Sequence, residues 1–328
     1  MGIKNLRKFL EKYAPSSIID RKYDDFKNKT IAIDTSLVIY KYISAMRKSG
    51  KDLTSKSGKV TSHLIGIMNL INKLLNHKIT PIFVFDGKPP VIKKNTLQKR
   101  YDIKKEAEEK LEDKNGTLTM EQRISAFMQS TRISPEIIKD TKEMLTVLGI
   151  PWIDSPEEAD AQCVCLMENK IAYAVATEDM DLLTFGASRV LKDFFATKDD
   201  SIVEVNLDKM LKELKFDQSQ FIDLSILLGC DYLPTVEGIG FVRSYEYLTK
   251  FKSLDGIFKE MEKPDNYDYQ EVRDYFKNAT KKCTVPKDED TKIKKTKNED
   301  IYSLLVDTYD FNLGKYNSFM IARNKFFD

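Results

Sequence analysis

Histidine is nearly absent from this chain: His63 and His77 are the only two in 328 residues. Catalysis or metal binding built on a histidine cluster is thereby excluded, which leaves carboxylates as the chemical raw material. Cysteine is scarce as well. Cys163, Cys165, Cys230 and Cys283 are too few and too irregularly spaced for a disulfide framework or a zinc tetrahedron, and they read as buried thiols in a reducing compartment. Net charge is missing too, since 53 Lys and Arg stand against 51 Asp and Glu. That balance excludes a histone-like polycation, so any nucleic-acid contact must come from a local basic patch. No apolar run reaches membrane-spanning length, and Leu6 stands where a myristoylated Gly2 would want Ser or Thr. A soluble intracellular protein with no membrane partner is expected.

What is present alternates between two periods. TIAID at 30–34 is a short apolar run ending in an acid, and 36–47 follows with helical spacing of Leu37, Ile39, Tyr40, Ile43 and Met46. Residues 48–61 read as a loop, and the stripe Leu64, Ile67, Met68, Ile71, Leu74, Leu75 as a helix. ITPIFVFDGKPP at 79–90 is a buried strand stopped at Asp86-Gly87. Residues 91–135 offer little to bury and read as exposed helices; seven bases between Lys88 and Lys105 face one acid, Asp102. Such a run is commonly a solvated helix face. A helix at 136–148, a strand at IPWID, and Ser155-Pro156 as the start of a helix through EEADAQCVCLM come next. IAYAVAT at 171–177 and RVLKDF at 189–194 are further strands, while 217–250 reads helix, tight turn, helix. KDEDTKIKKTKNED at 287–300 reads as a loop or partly disordered segment, and the aromatic tail with Phe311, Tyr316, Phe319, Phe326 and Phe327 should dock on the body. The pattern is α/β, with a largely parallel sheet flanked by helices.

Acids recur where such a fold places its active site, outside the carboxyl ends of the strands. Asp34, Asp86 and the group Glu178, Asp179, Asp181 each follow a strand; Glu158 and Asp160 open a helix, and Asp231 closes one before the Gly238-Ile239-Gly240 turn. Gathered as bare anions they would repel one another and several would protonate, whereas hard divalent cations relieve the repulsion. An oxygen-only shell suits Mg²⁺ or Mn²⁺, and two such ions can activate a water against a phosphodiester. Any single Asp after a strand can equally be a cap or turn former. An aspartyl-phosphate phosphohydrolase also places an Asp there, although Ser36 occupies the position of its second Asp. The Gly-Ile-Gly turn, with Arg243 nearby, is either a phosphate cradle or an ordinary turn.

Taken in order, MGIKNL, IAIDTSLVIYKYI, TSHLIG, IFVFDGKPP, GIPWIDSPEEADAQC, ATEDMDLLTFG and ILLGCDYLPTVEGIG resemble the flap endonuclease family of structure-specific 5′ nucleases, from Met1 to about residue 250. The resemblance implies a PIN-like 5′ nuclease core with a mixed sheet, a helical arch and a helix–two-turn–helix DNA clamp. Residues 1–105 would form the N-terminal nuclease region and 91–135 the arch. The internal nuclease region would span 136–260, with the clamp at 217–250, and 261–328 would be a C-terminal extension packing on the core. Asp34, Asp86, Glu158, Asp160, Asp179, Asp181 and Asp231 fall on the family's metal-binding carboxylates, and Lys93 and Arg100 on arch cations that meet the scissile phosphate. Gly2 falls near the substrate phosphates, Tyr40 on a base-stacking aromatic, and Arg47, Leu53 and Thr61 on the region that receives a 3′ flap. Thr235, Gly238 and Gly240 fall on the clamp, where the family also binds K⁺, and Arg243 beside that turn joins them as a DNA-binding candidate.

This sequence departs from the pattern at Asp160, where Glu is usual, and at Glu237 and Val242, where bases are expected. NKFFD supplies an aromatic pair without the upstream Gln and aliphatic anchor of a sliding-clamp motif, leaving that partner open. The resemblance implies a monomeric Mg²⁺-dependent 5′-flap endonuclease with 5′–3′ exonuclease activity on branched DNA. It would act in replication and repair, in the nucleus or at a site of viral DNA replication. A catalytically inert DNA-binding module and the phosphohydrolase are the alternatives.

Overall fold

The structure, a computed structural model, describes residues 2–47, 54–56, 58–112, 119–131, 133–196 and 200–328. Its strands are β1 (Ile18–Arg21), β2 (Thr30–Asp34), β3 (Thr80–Phe85), β4 (Trp152–Asp154), β5 (Ala174–Ala176), β6 (Arg189–Lys192) and β7 (Ile202–Asn206). Helices α1 (Leu6–Tyr13), α2 (Thr35–Arg47), α3 (Ser62–Asn76), α4 (Lys94–Leu111), α5 (Met120–Gln129) and α6 (Pro135–Leu148) precede β4 or lie among the early strands. They are followed by α7 (Ala159–Glu168), α8 (Leu182–Phe185), α9 (Leu207–Leu214), α10 (Gln218–Leu228) and α11 (Phe241–Phe251). The last four are α12 (Leu254–Glu260), α13 (Tyr269–Asn278), α14 (Asn298–Tyr302) and α15 (Leu313–Phe327). Two compact units share the chain. One draws on Met1–Asp25, Asp86–Thr96 and Asp154–Val285, the other on Phe26–Phe85, Leu97–Ile153 and Pro286–Asp328.

In the first unit β5 and β6 are parallel, β6 and β7 antiparallel, and β7 and β1 antiparallel, with Ile18 opposite Val205 and Arg21 opposite Ile202. In the second, β2 and β3 run parallel from Thr30 opposite Thr80 to Asp34 opposite Val84. The strand pairing is therefore mixed, as the fold reading required. Ile31, Ala32, Ile33, Ile82, Phe83 and Val84 are fully buried, as strands covered on both faces demand. The predicted helices at 36–47 and 136–148 are α2 and α6, and Gly149 (φ 72°) ends α6 in the left-handed conformation.

Three readings change. The helix expected from Ser155-Pro156 starts instead at Ala159, with Glu158 at the N-cap. The reason is a backbone tie: Gly87 N–H donates to the Glu157 carbonyl at 2.7 Å, and Lys88 N–H to that of Pro156 at 3.3 Å, holding 155–157 out of the helix. A Cβ at Gly87 would lie 2.0 Å from the Ser155 carbonyl oxygen, so only glycine permits the approach. Asp231 does not close α10, which ends at Leu228 with Gly229 (φ 91°) as its cap. Strands β1 and β7 escaped the reading because Glu204 breaks the apolar run of β7. That carboxylate is buried and paired with Arg21 at 2.9 Å.

Of the two readings of 287–300, the loop is the one observed up to Lys297, and its backbone is tied down. Lys294 N–H donates to the Gly149 carbonyl at 2.8 Å, the Thr296 hydroxyl to that of Val147 at 2.6 Å, and α14 begins at Asn298. The tail docks as expected, with Phe311 and Phe319 buried and α15 packed along α3, while Tyr316, Phe326 and Phe327 stay half-buried. Among the described residues no helix is long and apolar enough to cross a membrane.

Candidate active site

Six of the seven predicted carboxylates belong to the first unit, and their surroundings there are specific. The turn after β3 carries Asp86, whose Oδ1 accepts from the Ala159 N–H at 2.9 Å and so caps α7. Beyond the Gly87 tie, Lys93 projects its ammonium between two acids. It pairs with Glu158 Oε1 and lies 3.2 Å from Asp231 Oδ2, with its side chain only 12% exposed. Burial opposes the charge on Lys93, but Glu158, Asp160 and Asp231 outweigh it and raise the pKa above the usual value. The neighbouring Thr96 hydroxyl donates to the Asp231 carbonyl, so the same short segment grips Asp231 twice.

Glu158 is nearly covered, at 7% exposure, and both its oxygens are engaged. Lys93 takes Oε1, while Oε2 accepts from the Tyr232 hydroxyl at 2.6 Å and the Tyr275 hydroxyl at 3.0 Å. Burial first, and then the Glu158 charge, push both phenol pKa values up and keep the two hydroxyls as donors. Neither tyrosine was singled out by sequence. Tyr232 adjoins Asp231 in GCDY, a usable signal, but Tyr275 lies in an unremarked stretch of α13.

The loop after β5 holds the most crowded acids. Asp181 is 4% exposed, its N–H donates to Asp179 Oδ1 at 3.1 Å, and its Oδ1 accepts from the Ile3 N–H at 2.6 Å. Its carboxyl is pushed well above the usual range by burial and then by the charges of Asp179 and Asp231. Gly2 (φ 86°) runs across this pair so closely that a Cβ would sit 2.1 Å from Asp179 Oδ1 and 2.7 Å from Asp181 Oδ1. Glu178, by contrast, turns its carboxylate to the Asp193 N–H at 3.5 Å. Lys4 anchors the N-terminus further, its N–H donating to the Gly229 carbonyl at 3.0 Å and its ammonium to the Thr235 hydroxyl at 3.3 Å.

Among the described residues no group of three or more His, Cys, Asp or Glu side chains is arranged to hold a metal ion. The donor set nevertheless fits a hard divalent cation, being oxygen throughout. Asp181 supplies the clearest sign, since burial first and then the charges of Asp179 and Asp231 oppose its ionisation, and a cation beside it would favour the charged form.

In the second unit Asp34 ends β2, is 8% exposed, and accepts at Oδ1 from the Leu37 N–H at 3.2 Å, capping α2. Tyr40 on α2 is partly exposed, and its hydroxyl donates to the Met128 carbonyl at 3.5 Å. Arg47 is the last residue of α2, and Leu53 lies outside the described residues. Thr61 precedes α3 and is buried, and Arg100 sits half-exposed on α4, a helix that buries little beyond Ala107.

The turn ahead of α11 belongs to the first unit. Gly238 (φ 73°) adopts a conformation that disfavours side chains, and its carbonyl accepts from Arg243 Nη1 at 2.8 Å. Gly240 sits at the N-cap of α11, and a Cβ there would meet nothing within 4 Å. Gly238, Gly240 and Arg243 are exposed to solvent, as an anion site requires, while Ile239 between the glycines is buried.

Comparison with known proteins fits this arrangement. Residues 1–107 match the model of the XPG N-terminal domain, and 149–231 that of the XPG I-region. The chain is 39% identical over 283 residues to a flap endonuclease 1 of Entamoeba histolytica, covering 84% of this chain and 75% of that protein. It is 36% identical over 337 residues to one from Glycine max, covering 99% and 88%. The fold superposes on flap endonuclease-1 from Methanococcus jannaschii with a TM-score of 0.69 and 29% identity, over 94% and 95% of the two chains. It also superposes on the catalytic core of Rad2 in complex with DNA substrate, with a TM-score of 0.72 and 23% identity over 98% and 99%. The chain belongs to the flap endonuclease family.

Proposed function

We propose that this protein is a structure-specific 5′-flap endonuclease with 5′–3′ exonuclease activity, hydrolysing phosphodiesters of branched DNA in replication and repair. The observation that carries the reading is the mutually repelling set Asp179, Asp181 and Asp231, with Asp181 buried, beside a Lys93 held against Glu158. Asp34, Asp86, Glu158, Asp160, Asp179, Asp181 and Asp231 would hold two Mg²⁺ ions, for which Mn²⁺ can substitute. When bound, such ions lower the pKa of water and neutralise charge on the phosphodiester.

The chain's own groups do the rest. Lys93 neutralises Glu158 and Asp231 at rest, and its flexible stem lets the ammonium move to the scissile phosphate, where Arg100 supplies a second cation. Tyr40 stacks on the base beside the cut, and Gly2 leaves the backbone low enough for substrate phosphates to approach. Arg47, Leu53 and Thr61 receive the 3′ flap. Thr235, Gly238, Gly240 and Arg243 hold duplex phosphates with K⁺, more weakly than a fully basic turn would, because Glu237 and Val242 add no positive charge. The protein works as a monomer. It acts where DNA is replicated, in the nucleus or at a site of viral DNA synthesis.

A labelled double-flap DNA incubated with and without Mg²⁺ tests this directly. Metal-dependent release of the 5′ flap is expected. Binding without cutting would mark an inert module instead, and phosphate release from a small phosphomonoester with the flap intact would mark a phosphohydrolase.

A further inference from the structure

The two oxygens of Glu158 are not equivalent, and the difference comes from a part of the chain outside both matched family regions. Oε1 meets the Lys93 ammonium, whereas Oε2 accepts two phenol hydroxyls, from Tyr232 at 2.6 Å and from Tyr275 at 3.0 Å. Glu158 makes no cap bond to its own helix, so nothing in α7 fixes its rotamer. Tyr275, on α13, lies well beyond residue 231, where the XPG I-region match ends.

The phenol of Tyr275 has little freedom. Its ring lies 5.1 Å from that of Tyr232 and 5.8 Å from that of Phe185, both edge-on, and Phe276 packs against Phe185 at 4.9 Å. On one side Arg273 fastens α13 to α10 through a bidentate pair with Asp223, at 2.7 and 2.9 Å. On the other, Lys282 pairs with Glu157 at 2.7 Å, and Gln162 exchanges two hydrogen bonds with the Thr284 backbone, at 2.7 and 2.9 Å. The segment 273–284 is thus fastened on both sides of the carboxylate it touches, to α10 before it and to α7 after it.

We infer that Tyr275, together with Tyr232, is a positioning residue that fixes the orientation of the Glu158 carboxylate toward a divalent cation, which makes α13 part of the active site. With Oε2 pinned by two donors, Oε1 keeps its direction when Lys93 leaves, and the cation meets a ligand already aimed. Partners of metal ligands act in this way, and their loss costs about 10- to 100-fold in metal affinity. The inference rests on the metal-dependent nuclease reading above.

The experiment measures Mn²⁺ binding to the full chain without DNA, by the loss of the free-ion paramagnetic resonance signal, for wild type, Tyr275→Phe and Tyr232→Phe. Phenylalanine keeps the ring packing and removes only the hydroxyl. We expect each variant to bind Mn²⁺ about tenfold more weakly. The Mg²⁺ concentration for half-maximal cleavage should rise in parallel, while the melting temperature stays near that of wild type. A merely structural tyrosine would move none of the metal readouts. Unchanged Mn²⁺ affinity in Tyr275→Phe, with wild type cutting flap DNA normally, overturns the inference and leaves the nuclease reading intact. Weaker Mn²⁺ binding by the variant supports it even if wild type fails to cut, and that failure would overturn only the nuclease reading. Failure of wild type to bind Mn²⁺ overturns both.

Discussion

Two buried titratable side chains show opposite solutions to the same physical problem. In the first unit Lys93 is kept charged under cover by pairing with Glu158 and Asp231. In the second, His63 is fully buried at the start of α3, and among the described residues neither ring nitrogen has a partner at good hydrogen-bond geometry. Burial pushes its pKa down to about 4, against a weaker upward pull from Asp140 and the Ile137 backbone, so it packs as a neutral ring. A buried charge is retained where chemistry needs it and discarded where only packing is needed. The carboxylate centre carries a repulsion that costs stability, while the interior around His63 carries none.

The largest expected effect breaks the comparison on the catalytic side. Asp181→Ala should lower flap cleavage by about a thousandfold, comparable with the loss of a key charge-stabilising group. Because Asp181 is buried beside two other acids, the same change should leave the metal-free protein at least as stable as wild type by thermal melting. A clear drop in melting temperature would show that the acids are not strained against one another.

Lys93→Ala should cost about a hundredfold in cleavage rate. Here the stability should fall instead, by about 3 kcal/mol, because Glu158 and Asp231 lose the partner that compensates their burial. Urea titration of both variants side by side gives the contrast directly: one removes a repelled acid, the other strands two. Equal changes in stability would mean that Lys93 and Asp181 are not in electrostatically opposite positions.

His63 sets the next effect. Its folded pKa of about 4 lies below the usual 6.5, so between those values the unfolded chain binds the proton and the folded chain does not. The contribution is therefore fully present above pH 6.5 and is lost as the pH falls toward 4. The loss amounts to about 3 kcal/mol, because a gap of one pH unit between the folded and unfolded pKa values is worth about 1.36 kcal/mol. Denaturation curves across this range, compared with His63→Phe, check the sign. A His63→Phe profile as steep as that of wild type would place the acid sensitivity elsewhere.

Much of this was legible in the sequence, for definable reasons. TIAID and ITPIFVF are continuous apolar runs bounded by turn formers, and they became β2 and β3 with Asp34 and Asp86 at their ends. What stayed hidden depended on distant partners. Glu204 looks like a solvated residue until Arg21 is placed beside it, so β7 was missed along with β1. The start of α7 was misplaced because Ser155-Pro156 is a good local signal that loses to the backbone tie with Gly87 and Lys88. Tyr275 had no local signal at all, since its role exists only where α13 meets Glu158. The charged stretch 287–300 has a disordered composition, yet its backbone finds partners on the end of α6.

The smallest effect separates the exposed bases from the buried one. α4 buries little beyond Ala107 among its 18 residues, so Lys99 stands in solvent, unlike Lys93 just before the helix. Lys99→Gln should change folding stability by no more than about 0.5 kcal/mol, as for any surface substitution without a partner to strand. If Lys99 meets a DNA phosphate, the slope of log affinity against log salt should flatten by about 1 for flap DNA, with a uniform loss of binding across sequences. The cleavage rate at saturating DNA should stay unchanged, because a phosphate contact away from the reacting bond contributes equally to ground and transition states. A large fall in that rate would show Lys99 acting on the chemistry as Lys93 does. An unchanged salt slope would return it to an ordinary solvated helix face.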